Sequence, residues 1–206
     1  MNVFFTADLH LGHDNIRRHC RRPFSTVEEM DEVIITNWNR VVAAGDLVYI
    51  VGDFAWVRHH QNLARLKGSK ILIKGNHDKM SQECLRNFAE VHQLLARSID
   101  KQLVVMCHYC MVTWPSSCHG AWHLYGHSHG RIKELSNVPR CDVGVDVWDF
   151  APVPWDAIKK KLSVRKRQFS GDVGDLDANV IENIRANREI VRRLAEPHGI
   201  EDSPLS

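Results

Sequence analysis

Five short runs of strand-forming residues, each ending on side chains that bind metal ions, constrain this chain more than any other feature. Residues 3–7 run into Asp8-Leu9-His10, and residues 47–51 into Gly52-Asp53. Residues 71–74 run into Gly75-Asn76-His77-Asp78, residues 103–107 into His108, and residues 121–125 into Gly126-His127-Ser128-His129-Gly130. Each run has strand length and is rich in branched, aliphatic or aromatic residues. In the last block, glycine permits a sharp turn that a side chain would block. Two histidines at spacing two can project to the same side of an extended chain. A lone His-x-His is weak evidence, because two solvated imidazoles on a surface turn look the same in sequence. Five such blocks in one order, all oxygen and nitrogen donors, point to a metal site assembled from several strand ends.

The stretches between the runs read as helices. Ser25-Thr26-Val27-Glu28 has the form of a capping box. Val27, Met30, Ile34, Trp38 and Val41 then recur at helical spacing, and Gly45 follows where a helix would stop. A second helix is predicted over residues 57–66 and a short one over 80–88. Alternating strands and helices indicate an α/β layered fold, whose sites usually lie at the carboxyl ends of strands. From residue 91 to 105 the apolar runs leave little room for helices, which predicts paired strands joined near residues 98–101. Residues 141–148 read as a late strand, with Asp142 and Asp146 better explained as polar positions of an alternating pattern than as partners of the metal ligands. Pro154-Trp155 opens a helix ending near Leu162. Residues 171–177 read as a linker, and Val180, Ile181, Ile184, Val191 and Leu194 form a helical stripe. The expected organisation is therefore one domain over residues 1–165 and a linker with a helical tail over 166–206. That helix would pack back on the domain or pair with a second subunit in a homo-oligomer.

Composition narrows the setting. A chain of 206 residues with 44% hydrophobic content can bury a sizeable core. The formal net charge of +2 does not announce a nucleic-acid binder, and the basic run Lys159, Lys160, Lys161, Arg165, Lys166, Arg167 reads as a solvated surface. The six cysteines show no regular pairing. Cys107 and Cys110 lack the second pair that a structural zinc would need, so reduced thiols are expected. The start of the sequence lacks the basic and apolar stretches of a secretory signal. No apolar run approaches the ~20 residues that cross a bilayer. A reducing cytoplasm and no membrane partner are the expectation.

Residues 11–23 follow directly on two proposed ligands and carry Arg17, Arg18, His19, Arg21 and Arg22. An arginine there can clamp a phosphate bidentately, with Arg17 and Arg22 as candidates. The plainer reading is a solvated loop or helix face.

The donor set Asp8, His10, Asp53, Asn76, His108, His127 and His129 contains no thiolate. It suits manganese, iron or zinc better than a soft metal. A pair of divalent ions about 3.5–4 Å apart needs a bridging carboxylate and separate ligands for each ion, and this set can supply both. The five blocks resemble, in order, those of the calcineurin-like metallophosphoesterases: Asp-x-His, Gly-Asp, Gly-Asn-His-Asp, a lone His and Gly-His-x-His. The resemblance covers residues 3 to about 130 and does not reach the tail. It implies a four-layer α/β/β/α sandwich with a dinuclear metal centre at one edge. By position, Asp8, His10 and His129 would hold one ion, Asn76, His108 and His127 the other, and Asp53 would bridge them. A hydroxide between the ions would attack phosphorus in line. His77 would stabilise the transition state or protonate the leaving oxygen, with Asp78 orienting it, and Asn76 would also touch substrate. The two ions would be manganese, iron, zinc or nickel, with manganese favoured in vitro. The implied substrate is a phosphodiester such as a cyclic nucleotide, a 2′,3′-cyclic phosphate or a nucleic-acid end. A phosphomonoester and a non-catalytic metal-binding scaffold are the rival readings.

Overall fold

Phe4 and Phe5, neighbours on the first strand, enter two different hydrophobic cores. Successive side chains of a strand project to opposite faces, so that strand must be covered on both sides. It is β1 (Val3–Thr6), in a sheet ordered β4-β3-β2-β1-β9. Here β2 is Leu47–Val51, β3 is Ser69–Ile73, β4 is Glu90–His92 and β9 is Val153–Pro154. The first four strands run parallel, and β9 is antiparallel to β1. A second sheet is ordered β5-β6-β7-β8, from Leu94–Ile99, Gln102–Cys107, Trp122–Tyr125 and Arg140–Asp142. This computed structural model describes residues 1–165 apart from Ser136.

One core lies on the outer face of the first sheet. Phe4, Val48, Ile50 and Leu72 meet Met30, Ile34, Ile35 and Trp38 of α2 (Val27–Val41) there. The short helices α1 (Asp14–His19), α3 (His59–Ala64) and α4 (Gln82–Leu85) bring Ile16, Leu63 and Leu85 to the same face. The other core fills the space between the sheets, with Phe5, Tyr49, Val51, Ile71 and Ile73 against Leu95, Val104, Met106 and Leu124. Trp155, Ile158 and Leu162 of α5 (Trp155–Leu162) join it. On the far face of the second sheet, Val105 packs under Trp114 and Ala121, beside the short 3₁₀ turn Ser117–His119. The fold is the expected α/β/β/α sandwich, with a thin layer over that face.

Local structure departs from expectation where tertiary contacts intervene. The capping box sits one residue later than expected. Thr26 Oγ1 accepts from the Glu29 N–H at 3.1 Å, and Glu29 accepts from the Ser25 N–H at 2.6 Å. The adjacent pair Glu28-Glu29 offers either register. Helix α3 is shorter than predicted because the Trp56 N–H donates to the Leu11 carbonyl and Arg58 takes a left-handed φ of 53°. Residues 141–148 are not one strand. After β8, the Gly144 N–H donates to Asp142 Oδ1 and the Val145 N–H to the Ala7 carbonyl, which turns the chain into a 3₁₀ turn at Val145–Val147. The tight turn at Asp100-Lys101, both with positive φ, joins β5 and β6 as predicted. The linker expected at 171–177, the stripe from Val180 to Leu194, and its contact with a second subunit lie outside the described residues.

Candidate metal centre

The parallel strands β1, β2, β3, β6 and β7 end on one edge of the sandwich, and each is followed by one of the five motif blocks. Backbone hydrogen bonds tie these ends together. The Asp8 N–H donates to the Gly52 carbonyl, the His10 N–H to Asp53, and the Gly126 N–H to His108. Asp8, His10, Asp53, His127 and His129 all have positive φ, between 48° and 64°. Each such non-glycine residue costs about 1–3 kcal/mol and persists only where its surroundings enforce it. Here the enforcement comes from the crossing of neighbouring strand ends.

Two clusters of ligand atoms result. Donor atoms of Asp8, His10 and His129 lie within 4.8 Å of one another, and so do those of Asp53, His108 and His127. Asp53 links the two. Its Oδ2 is 3.5 Å from His10 Nε2 and 3.3 Å from His108 Nε2. Both imidazole nitrogens are buried and make no hydrogen bond. Unpaired buried nitrogens are costly, and two of them converging on one carboxylate oxygen fit a cation. The opposite edge of the His108 ring is fixed by Nδ1, 2.9 Å from the Val51 carbonyl. His129 Nδ1 is likewise 2.7 Å from Asp146 Oδ2. Such contacts set the tautomer and turn the other nitrogen toward a metal. Asn76 is exposed on the loop after β3, where the His77 N–H reaches Asp53 Oδ1 at 2.9 Å. Asn76 thus stands beside the second cluster.

The space is tight around these carboxylates. A Cβ on Gly75 would fall 2.2 Å from Asp53 Oδ1, and one on Gly126 would fall 2.7 Å from Asp8 Oδ2. Burial pushes the Asp8 carboxyl up to about 7, with the nearby His129 and His108 pulling the other way. Burial pushes His10 down to about 2, so its ring is neutral and ready to donate a lone pair. For Asp53, burial would raise the value, but His108, the His77 N–H and His10 outweigh it and hold the carboxyl at about 2. The imidazoles around it differ: burial keeps His10 neutral, whereas His129, despite its burial, is held up at about 10 by its hydrogen bond to Asp146.

The arginines do something other than expected. Arg22 was a candidate phosphate clamp, yet its side chain is fully buried. Its Nη2 donates to the Asp8 carbonyl at 2.6 Å, its Nη1 to the Leu9 carbonyl at 3.0 Å, and its Nε to Asp146 at 2.8 Å. With its donors spent inside the protein, it supports the first cluster from below. Arg17 is held by Asp14 and by the Phe24 and Ser25 carbonyls, which draws its guanidinium to the α1–α2 connection. Asp78 also needs correction. Its carboxylate accepts from the N–H groups of Asp53, Phe54 and Gly75 at 2.8–2.9 Å, so it braces the loops rather than the His77 ring. That ring faces His10, His13 and Trp56, with centroids 5.4, 6.0 and 5.3 Å away.

Sequence reasoning missed Asp146. Its place in an apparent alternating pattern concealed a side chain that meets both His129 and Arg22. Cys20 completes a third group of donors with His129 and Asp146. Neither residue carries a local signal, because each reaches the site only through the fold.

Comparison with known proteins agrees with this architecture. The family described as calcineurin-like phosphoesterase matches residues 1–163. An uncharacterized protein of Methanocaldococcus jannaschii is 31% identical, covering 80% of this chain and 93% of its own. The Gene 66 protein of Mycobacterium phage D29 is 26% identical, covering 79% and 96%. Among solved structures, a protein of unknown function from Aquifex aeolicus superposes with a TM-score of 0.61 at 24% identity. It covers 77% of this chain and 98% of its own, and shows the fold alone.

Proposed function

The chain belongs to the calcineurin-like phosphoesterase family, and from that premise we propose that it is a two-metal phosphodiesterase. The observation that carries the reading is the pair of orphaned nitrogens, His10 Nε2 and His108 Nε2, converging on Asp53 Oδ2. Asp8, His10 and His129 would hold one ion, Asn76, His108 and His127 the other, with Asp53 shared. When bound, such ions neutralise phosphoryl oxygens and lower the pKa of water enough to make a nucleophile at neutral pH. An all-oxygen-and-nitrogen donor set fits manganese, iron, zinc or nickel, and manganese is the ion to try first.

The protein's own groups do the rest. Arg22 and Asp146 fix the Asp8–His10 turn and the His129 ring. Asp78 ties the loops after β2 and β3 together. His77 stands outside both ligand clusters but within one ring of His10, where it serves as proton donor to the leaving oxygen or as a partner for developing charge. Asn76 and His127 are exposed, so the site opens to solvent. That suits a diester, which needs room on both sides of phosphorus. A reducing compartment such as the cytoplasm fits the six unpaired cysteines. Among the described residues no helix is long and apolar enough to cross a membrane.

The experiment is turnover of bis(p-nitrophenyl) phosphate against p-nitrophenyl phosphate by metal-stripped protein given manganese. A clear preference for the diester is expected. A preference for the monoester would make the protein a phosphatase. No turnover of either ester with manganese, iron, zinc or nickel would leave a metal-binding scaffold.

A further inference from the structure

Two large aromatic side chains flank the candidate metal centre without being buried. Trp56 is 50% exposed and Tyr109 48% exposed. Scattered exposed aromatics need no explanation, but these two are attached to the centre itself. The Trp56 ring stacks on His13 with centroids 4.3 Å apart and planes 11° apart, and it lies 5.3 Å from His77. Tyr109 stands edge-on to His127 at 4.8 Å and to His108 at 5.3 Å. One aromatic thus borders the His10 and His77 flank, and the other borders the His108 and His127 flank.

Their backbones are tied to neighbouring segments. Trp56 is anchored by its N–H to the Leu11 carbonyl at 2.8 Å. Tyr109 follows His108, the first residue after β6, and its carbonyl lies 3.2 Å from His123 Nε2. One face of the Trp56 indole is covered by imidazole, and half of the residue remains open to solvent. An indole left that way gains little from the fold. It is placed to receive a second flat ring, and its stacking on His13 holds it ready. Positive charge stands on the same edge: Arg131, exposed two residues beyond His129, donates to the His19 carbonyl at 2.6 Å, beside exposed Arg18 and Arg21.

We propose that Trp56 and Tyr109 are stacking shelves for the bases on either side of the scissile phosphate, so that the substrate is a phosphodiester between two nucleosides. This rests on the phosphodiesterase reading above. Flat, sequence-tolerant aromatic surfaces combined with backbone-reading arginines are the usual means of holding single-stranded nucleic acid. A base on the Trp56 shelf would put its sugar oxygen on the His77 side, where a leaving oxygen needs a proton.

The test separates binding from turnover. The manganese-loaded protein is titrated calorimetrically with AMP and with ribose 5-phosphate, which carries a hydroxyl at C1 in place of the base. The wild type should bind AMP roughly tenfold more tightly, the scale of one base stack. Trp56→Ala or Tyr109→Ala should bring that ratio toward one, while Trp56→Phe should keep most of it. Equal affinities in the wild type, or an unchanged ratio in both alanine variants, would overturn the shelves. Hydrolysis of a dinucleotide is then compared with that of its doubly abasic analogue. Equal kcat/KM would also overturn them, and leave the phosphodiesterase reading standing if both are cleaved. If neither is cleaved but the AMP preference is present and lost in the alanine variants, the rings bind bases, but the phosphodiesterase reading falls and the dinucleoside substrate falls with it.

Discussion

Arg22 and Asp146 form a bidentate ion pair beneath the candidate metal centre, with Nε–Oδ1 and Nη2–Oδ2 both at 2.8 Å. The same guanidinium holds the Asp8 and Leu9 carbonyls, and the same carboxylate holds His129. Removing one partner of a buried pair costs about 3–5 kcal/mol, since the other charge is left uncompensated. Arg22→Ala should therefore lower Tm by on the order of 10 °C and weaken metal binding. Asp146→Asn should spare more stability but weaken metal affinity about 10–100-fold, as other partners of metal-bound histidines do. Calorimetry with chelator competition measures both. An Arg22→Lys variant with unchanged Tm and metal affinity but a raised KM would restore the phosphate-clamp role.

His77 and Asp78 are adjacent in sequence but should respond differently. His77→Ala should keep both ions and slow turnover by about 10²–10⁴-fold, the usual worth of a general acid. The loss should be greatest for substrates with poor leaving groups. Asp78→Ala strands three N–H groups, and should reduce metal content and thermal stability together. Metal analysis beside a leaving-group series separates the two. An Asp78→Ala protein with full metal content and a His77-like rate defect would return Asp78 to orienting His77.

The strand ends were legible because each candidate ligand block sits immediately after an apolar run, and local order is enough to mark it. The helix α2 was equally plain, since its apolar spacing and its cap agree. What the sequence concealed depends on distant contacts. Asp146 meets Arg22 across 124 positions, and no local pattern encodes that meeting. The segment 141–148 misled because Val143 and Val145 are both buried, and burial at alternate positions looks the same whether the chain is a strand or a turn pinned by Ala7. Asp78 misled through proximity: its neighbour in sequence is His77, but its hydrogen bonds go to the backbone of β2's end and Gly75.

Gly75 offers a test of the proposed bridging role of Asp53 that substitutes none of the candidate ligands. An added Cβ would come within 2.2 Å of Asp53 Oδ1 and 2.7 Å of its nitrogen. Relief requires moving Asp53 or the Asn76 loop, and both belong to the proposed ion sites. Gly75→Ala should cut metal stoichiometry and activity in parallel, as Asp53→Asn should. Elemental analysis against turnover checks this. Full occupancy by two ions with normal turnover in Gly75→Ala would mean the loop yields without disturbing the bridge, and in Asp53→Asn it would remove the bridge assignment.

Asp31 predicts a pH dependence away from the site. Its carboxylate oxygens accept the Gly12 N–H at 2.9 and 3.0 Å. Burial raises its pKa from 3.8 to about 6, against the lowering effect of that hydrogen bond. The folded state therefore binds more protons than the unfolded chain between those two values, and stability falls as pH rises through that window. Above about 6 the folded protein carries the cost of a partly buried charge. The substitution Asp31→Asn keeps an oxygen acceptor for Gly12 and removes the titration. It should raise Tm at pH 7.5 by on the order of 2–4 °C and change little at about pH 4, where the wild-type carboxyl is mostly protonated in the folded state. Scanning calorimetry of both proteins at both pH values decides it. A lower Tm for Asp31→Asn at the higher pH would show that the charge on the Gly12 hydrogen bond outweighs the cost of burying it.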